Sequence, residues 1–125
     1  MTPNANARAA YGHPAATRTA RDAEYSAFAR VTRGLRDAHA GDRSDFPALC
    51  RAVLDNSKLW GMLEDDLVDD RNQLPPALRA QLISLAAFVR RHGMQVIGRR
   101  ASAEALIDIN TSIMKGLRGD AEIAA

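Results

Sequence analysis

This 125-residue sequence predicts an all-α fold: a small bundle of about four principal helices behind a flexible N-terminal tail. Three observations carry that expectation. Ala, Leu, Arg, Glu and Asp dominate while β-branched residues are sparse, which favours helix over sheet. Apolar residues recur at three- and four-residue spacing in four separate stretches. Turn and cap residues, such as Ala40-Gly41-Asp42-Arg43 and the Pro75-Pro76 pair, separate those stretches. The length favours a single domain. The expected division is a tail over residues 1–17 and one helical-bundle domain over residues 18–125.

In the tail, Pro3, Gly12 and Pro14 interrupt any helical pattern. Tyr11 either stays free or docks on the bundle. The first helix is expected from near Thr19 to Ala38, with Tyr25, Phe28, Thr32 and Leu35 on one face and Val31 beside them. Asp22 and Glu24 early, and Arg30, Arg33 and Arg36 late, complement the helix dipole. The second helix starts near Asp45, a good cap residue, with Pro47 just inside. Leu49, Val53, Asn56, Trp60, Leu63 and Leu67 form its face. Asn56 is the anomaly, because a polar group on an apolar stripe must be hydrogen-bonded or sit at an edge. Leu54, Leu59 and Met62 lie off the face and suggest a second apolar side.

The third helix is expected from Pro75 to Ile97, where the prolines suit a first turn that needs no N–H. Leu78, Leu82, Leu85 and Val89 make its stripe, which continues through Val96; Ile83, Ala86, Met94 and Ile97 add a shoulder, and Phe88 lies on the other flank. Gly93 is expected to loosen its last third. The fourth helix follows the cap residue Ser102 and ends near Leu117, with Leu106, Ile109, Ile113 and Leu117 as its stripe. Residues from Asp120 onward are expected to fray.

The formal charge of +2 is small but unevenly placed. Ser44 to Gln73 holds three basic and seven acidic residues, and Leu74 to Arg118 seven basic and two acidic. Oppositely charged solvated faces packed side by side explain that pattern. A nucleic-acid surface would cluster its bases on one stripe with aromatics between them, whereas these come as scattered pairs. The single cysteine, Cys50, cannot form an internal disulfide, which fits a reducing compartment. No segment reaches the length that crosses a bilayer, and the N-terminus lacks a secretory apolar region, so a cytoplasmic location is expected.

No catalytic pattern emerges. His13, His39 and His92 have no metal-ligand spacing, Cys50 has no CxxC mate, and no nucleotide or nucleophile-elbow motif is present. The acidic run Glu64-Asp65-Asp66 and Asp69-Asp70 is not spaced like a calcium loop. A solvated helix end and a partner-docking patch remain as its readings. The expectation is a protein without enzyme activity, cofactor or metal. Its remaining opportunity is exposed apolar surface beside the third helix, of the kind that takes amphipathic helices.

Four blocks then carry a resemblance. They are Arg21-Asp22-Ala23-Glu24-Tyr25 with Phe28 and Val31 to Leu35; Asn56 with Leu59-Trp60; Asn72-Gln73-Leu74-Pro75 with Leu78 to Leu85; and Leu106 to Asn110 with Ile113 to Leu117. In this order they resemble the flagellar biosynthesis regulator family FlaF of alphaproteobacteria. Phe88 stands where many members have tryptophan. The resemblance implies a role in flagellin production and export, as a flagellin chaperone or regulator, often beside the regulator FlbT. Its residues for binding flagellin are expected to be Trp60, Ile83, Phe88 and Met94, with Arg79 and Arg90 pairing to acids on the bound segment. The alternative is a regulator acting on flagellin messenger RNA, directly or through a partner.

Overall fold

A computed structural model describes residues 14–42 and 44–124, with side chains over 24–42 and 44–118. Four helices account for nearly all of them: α1, Pro14–Ala40; α2, Phe46–Val68; α3, Pro76–Ile97; and α4, Glu104–Ala124. No strand occurs among the described residues. The most extensive interface joins α2 to α3. Helix α1 packs on both α2 and α4, whereas α3 and α4 touch little.

Local chemistry sets each helix end. The described part of α1 starts at Pro14, so residues 14–17, expected in the tail, are helical. Tyr11 lies outside the described residues. Asp45 caps α2 as expected, its Oδ1 accepting from the Ala48 N–H at 3.2 Å, with Pro47 just inside. Ser102 Oγ accepts from the Glu104 N–H at 3.1 Å and opens α4. Helix α4 continues through Gly119 to Ala124 rather than ending near Leu117. Glycine stops a helix only where the chain turns left-handed, and the residues after it are good helix formers.

Helix α3 ends without glycine in the left-handed position. Arg99 takes φ 62°, while its N–H reaches Val96 O at 3.0 Å and the Arg100 N–H reaches Gln95 O at 2.8 Å. That pair of bonds closes the helix in a Schellman turn, in which glycine usually holds the Arg99 position. A side chain there costs about 1 kcal/mol. The same turn lays the Arg99 guanidinium over the Phe46 ring, 4.1 Å from its centroid, which returns about 0.5–1 kcal/mol.

The core matches the predicted stripes on α1 and α2. Phe28, Val31, Thr32 and Leu35 are buried on the first, and Ala52, Val53, Asn56, Trp60 and Leu67 on the second. Leu54 and Met62 do not form a second packed side; they face solvent. The α3 stripe needs correction. Its buried residues are Ala86, Val89, Gly93 and Val96, with Leu82 and Leu85 half-buried and Leu78 exposed. Gly93 is the reason. A Cβ there would stand 3.1 Å from Val53 Cγ1 and 3.2 Å from Ser57 Oγ, so its bare backbone sets the closest approach of α3 to α2. Packing concentrates in that C-terminal half, and the first turns are left uncovered. Gly93, expected to loosen the last third of its own helix, thus lets that part pack closely on α2.

The contrast with Gly34 is testable. Nothing lies within 4 Å of a Cβ built at Gly34. Gly34→Ala should stabilise the protein by about 0.5–1 kcal/mol through helix propensity alone. Gly93→Val should destabilise it by about 1–3 kcal/mol, because the fully buried Val53 has nowhere to go. Urea denaturation of both variants measures the difference, and equal effects would remove the close approach from the account.

Candidate functional site

Among the described residues three polar ones are fully buried: Thr32, Asn56 and Asn110, one each on α1, α2 and α4. Trp60, also fully buried, ties two of them together. Its indole N–H donates to Asn110 Oδ1 at 2.9 Å, and Asn110 Nδ2 donates to Asn56 Oδ1 at 2.7 Å. The orientation of both amides follows from the indole, which can only donate. Asn110 must therefore present its oxygen to Trp60 and its nitrogen to Asn56. That leaves Asn56 Nδ2 without a partner among the described residues, as is Thr32 Oγ1. The Trp60 ring meets Phe28 edge to face, centroids 5.6 Å apart and planes at 86°. Its hydrogen-bond and ring partners lie on α4 and α1. With no exposed area, Trp60 belongs to the core of the closed bundle.

A second polar cluster governs the end of the α2–α3 hairpin. Helix α2 finishes in carboxylates, the wrong charge for the negative end of a dipole. Three side chains compensate. Asn72 Nδ2 donates to Asp66 O at 3.1 Å, and Asn72 Oδ1 accepts from the Leu74 N–H at 3.0 Å. Arg71 clamps the Asp69 carboxylate at 2.8 Å, a hydrogen bond and then a charge that push its own pKa further up. Arg79 reaches back from α3 and donates to Leu67 O and, at 3.0 Å, to Asp69 O. Within the block Asn72-Gln73-Leu74-Pro75 with Leu78 to Leu85, Asn72 and Arg79 thus serve to close the hairpin. Arg79, expected to pair with acids on a bound segment, is spent on carbonyls of its own chain.

Arg90, expected in the same role, pairs with Glu64 at 2.5 Å. The guanidinium side is more than half exposed, so the bridge is worth about 0–1 kcal/mol. The apolar shoulder does not hold together as one surface. Ala86 is buried, Ile83 half-buried and Met94 exposed. Phe88, on the opposite flank, is exposed and stacks on His92 with centroids 5.4 Å apart. His92 Nε2 in turn meets Ser102 O at 2.8 Å. Phe88 borders a shallow depression that it shares with Ala80, Gln81, Ser84 and Leu85. A separate concavity between α1 and α2 is ringed by Asp37, Asp42, Asp45, Asp55 and Arg51. Among the described residues no group of three or more His, Cys, Asp or Glu is placed to hold a metal ion, and no helix is long and apolar enough to cross a membrane.

Asn110 is the site residue that periodicity missed. It lies four residues after Leu106 and shares that residue's inward face, but the apolar stripe through Ile109 and Ile113 drew attention away from it. A polar residue already singled out on α2, Asn56, called for a polar mate on another helix. That was the available signal.

What these elements define is a small helical protein with a polar lock in its core and an apolar flank on its third helix. A family model described as flagellar protein FlaF matches residues 7–117, and the chain belongs to that family. No curated protein and no solved structure matched the chain.

The geometry separates two kinds of Trp60 variant. Trp60→Phe keeps the ring packing but strands Asn110 Oδ1, and should cost about 1–3 kcal/mol. Trp60→Ala should cost about 3–5 kcal/mol. For Arg79→Ala, the loss of two charge-assisted bonds at a partly exposed site should cost about 1–2 kcal/mol. Thermal and urea unfolding check all three, and an unchanged melting temperature for Trp60→Ala would remove that residue from the core.

Proposed function

We propose that this protein is a non-catalytic, cytoplasmic flagellin-binding chaperone that holds an amphipathic flagellin segment on the outward face of α3 until export. Family membership supplies the flagellar context. The observation that carries the reading is Phe88. An aromatic side chain stands exposed beside an apolar depression of Ala80, Leu85 and the stems of Gln81 and Ser84, on a helix that α4 scarcely touches. Exposed aromatics at the rim of an apolar depression are typical anchors for a partner's helix. Amphipathic segments expose apolar surface and aggregate when unassembled, and covering that surface is what such a chaperone does.

The set of contact residues is narrower than the sequence implied. Phe88 is its centre, Met94 and the half-buried Ile83 lie on the far flank, and Arg79, Arg90 and Trp60 serve the protein's own fold. The messenger-RNA alternative loses support for the same reason. Three of the arginines in the positive half of the chain, Arg79, Arg90 and Arg99, are engaged within the protein rather than offered to phosphates. Partnership with FlbT is a further proposal that the same surface permits.

Phe88→Asp tests the reading. The variant should melt like the parent, because the position is exposed, and should bind purified flagellin at least about tenfold more weakly. RNase treatment should leave the wild-type complex intact. A folded Phe88→Asp protein with full flagellin affinity would move the binding surface elsewhere, and loss of the complex on RNase treatment would favour the RNA reading.

A further inference from the structure

Two atoms of the polar cluster lack partners. Thr32 Oγ1 and Asn56 Nδ2 are fully buried and make no hydrogen bond among the described residues. Buried polar groups are almost always paired, with protein or with ordered water, because the interior does not replace lost hydration. Asn56 cannot relieve its nitrogen by turning over. The Trp60 indole fixes Asn110, Asn110 Nδ2 then needs an acceptor, and Asn56 Oδ1 is that acceptor at 2.7 Å. Thr32 has not taken the local outlet either. A threonine hydroxyl inside a helix can return to the carbonyl four residues back, as Thr111 does to Ile107 O at 2.8 Å. The Thr32 hydroxyl makes no such bond.

Packing sets these two atoms at one level of the core. Helices α1 and α2 run antiparallel: Ala38 near the end of α1 borders the same concavity as Ala48 and Ala52 at the start of α2, and Phe28 meets Trp60 further along. Thr32 lies one turn after Phe28 on the buried stripe of α1, and Asn56 one turn before Trp60 on that of α2. One helix therefore offers a hydroxyl where the other offers an amide N–H, with no direct bond between them. We infer that a single internal water molecule joins them, accepting from Asn56 Nδ2 and donating to Thr32 Oγ1. Water is the ligand that this chemistry selects. Both atoms are closed to solvent, no charged side chain is buried among the described residues to hold an ion, and one obligate donor faces one hydroxyl. A water-mediated bond is nearly as favourable as a direct one. The chain then runs from Trp60 through Asn110, Asn56 and the water to Thr32. It ties α1 to α2 and α4 by hydrogen bonds as well as by the Phe28 ring contact. The water site is independent of what binds to α3.

A high-resolution crystal structure of the full chain is the first test. One ordered water should stand about 2.7–3.2 Å from both Asn56 Nδ2 and Thr32 Oγ1. In solution, NOE and ROE spectra of the labelled protein should show cross-peaks of opposite sign between water and the Asn56 side-chain amide, the mark of a water held inside the fold. Thr32→Val removes the hydroxyl and keeps the shape of the side chain. It should erase those cross-peaks, move the Asn56 amide signal and lower the melting temperature, although it puts a methyl in place of a hydroxyl in an apolar core. An unchanged or higher melting temperature would mean that the hydroxyl had no partner to lose, and would overturn the inference. So would a dry core, with neither water density nor cross-peaks, or a direct bond from Asn56 Nδ2 to Thr32 Oγ1. If Thr32→Val does not fold, the crystal structure and the spectra of the parent protein decide.

Discussion

The bond from the Trp60 indole to Asn110 is the constraint on which the rest of the bundle depends. It joins α2 to α4 across the core, and it dictates how Asn110 meets Asn56 one link further on. Apolar packing alone would let α4 slide along or rotate against α2 at small cost. A buried donor and acceptor do not allow that, because every displaced register strands a polar group at about 1–3 kcal/mol. The chain of three side chains therefore selects one arrangement of α2 against α4 more than it adds to net stability. The edge-to-face contact with Phe28 extends the same lock to α1. Helix α3 alone has no side chain in this cluster, and it is held instead by close approach at Gly93 and by the Arg79 cap.

That division explains how a rigid body and an available surface coexist in so short a chain. With α1, α2 and α4 fixed by the polar lock, α3 can be anchored through α2 at both ends and still leave a flank unused. Arg79 secures its first turns to the end of α2, and the Arg99 turn with Phe46 secures its last. Between them lies Phe88. Its exposure does not weaken the core, so an apolar residue can be kept there for binding without cost to folding.

Much of the architecture was legible in the sequence. The stripes on the first two helices, the Asp45 cap with Pro47 and the Ser102 cap follow from local rules that the tertiary structure had no cause to override. Misplaced features share a physical origin. Leu78 reads as core by spacing, yet spacing cannot report which half of a helix its neighbour covers, and Gly93 decides that. Periodicity also treats an arginine as a surface charge. Arg79 and Arg90 are instead used by carbonyls and a carboxylate that only the folded hairpin brings near them. Asn110 was hidden because a polar residue is legible as buried only once its mate is known. Phe88 was legible as a flank residue, but the sparse contact between α3 and α4 that leaves it open was not.

The central claim is that flagellin occupies the outward face of α3 while the polar lock stays closed. Amide NMR of the isotopically labelled full chain, titrated with purified flagellin, tests it most directly. Shifts and broadening should be confined to the stripe from Ala80 through Arg91, with the Trp60 indole N–H and the Asn110 side-chain amide unmoved. Perturbation centred on the α1–α4 surface, or displacement of the Trp60 indole signal, would contradict it.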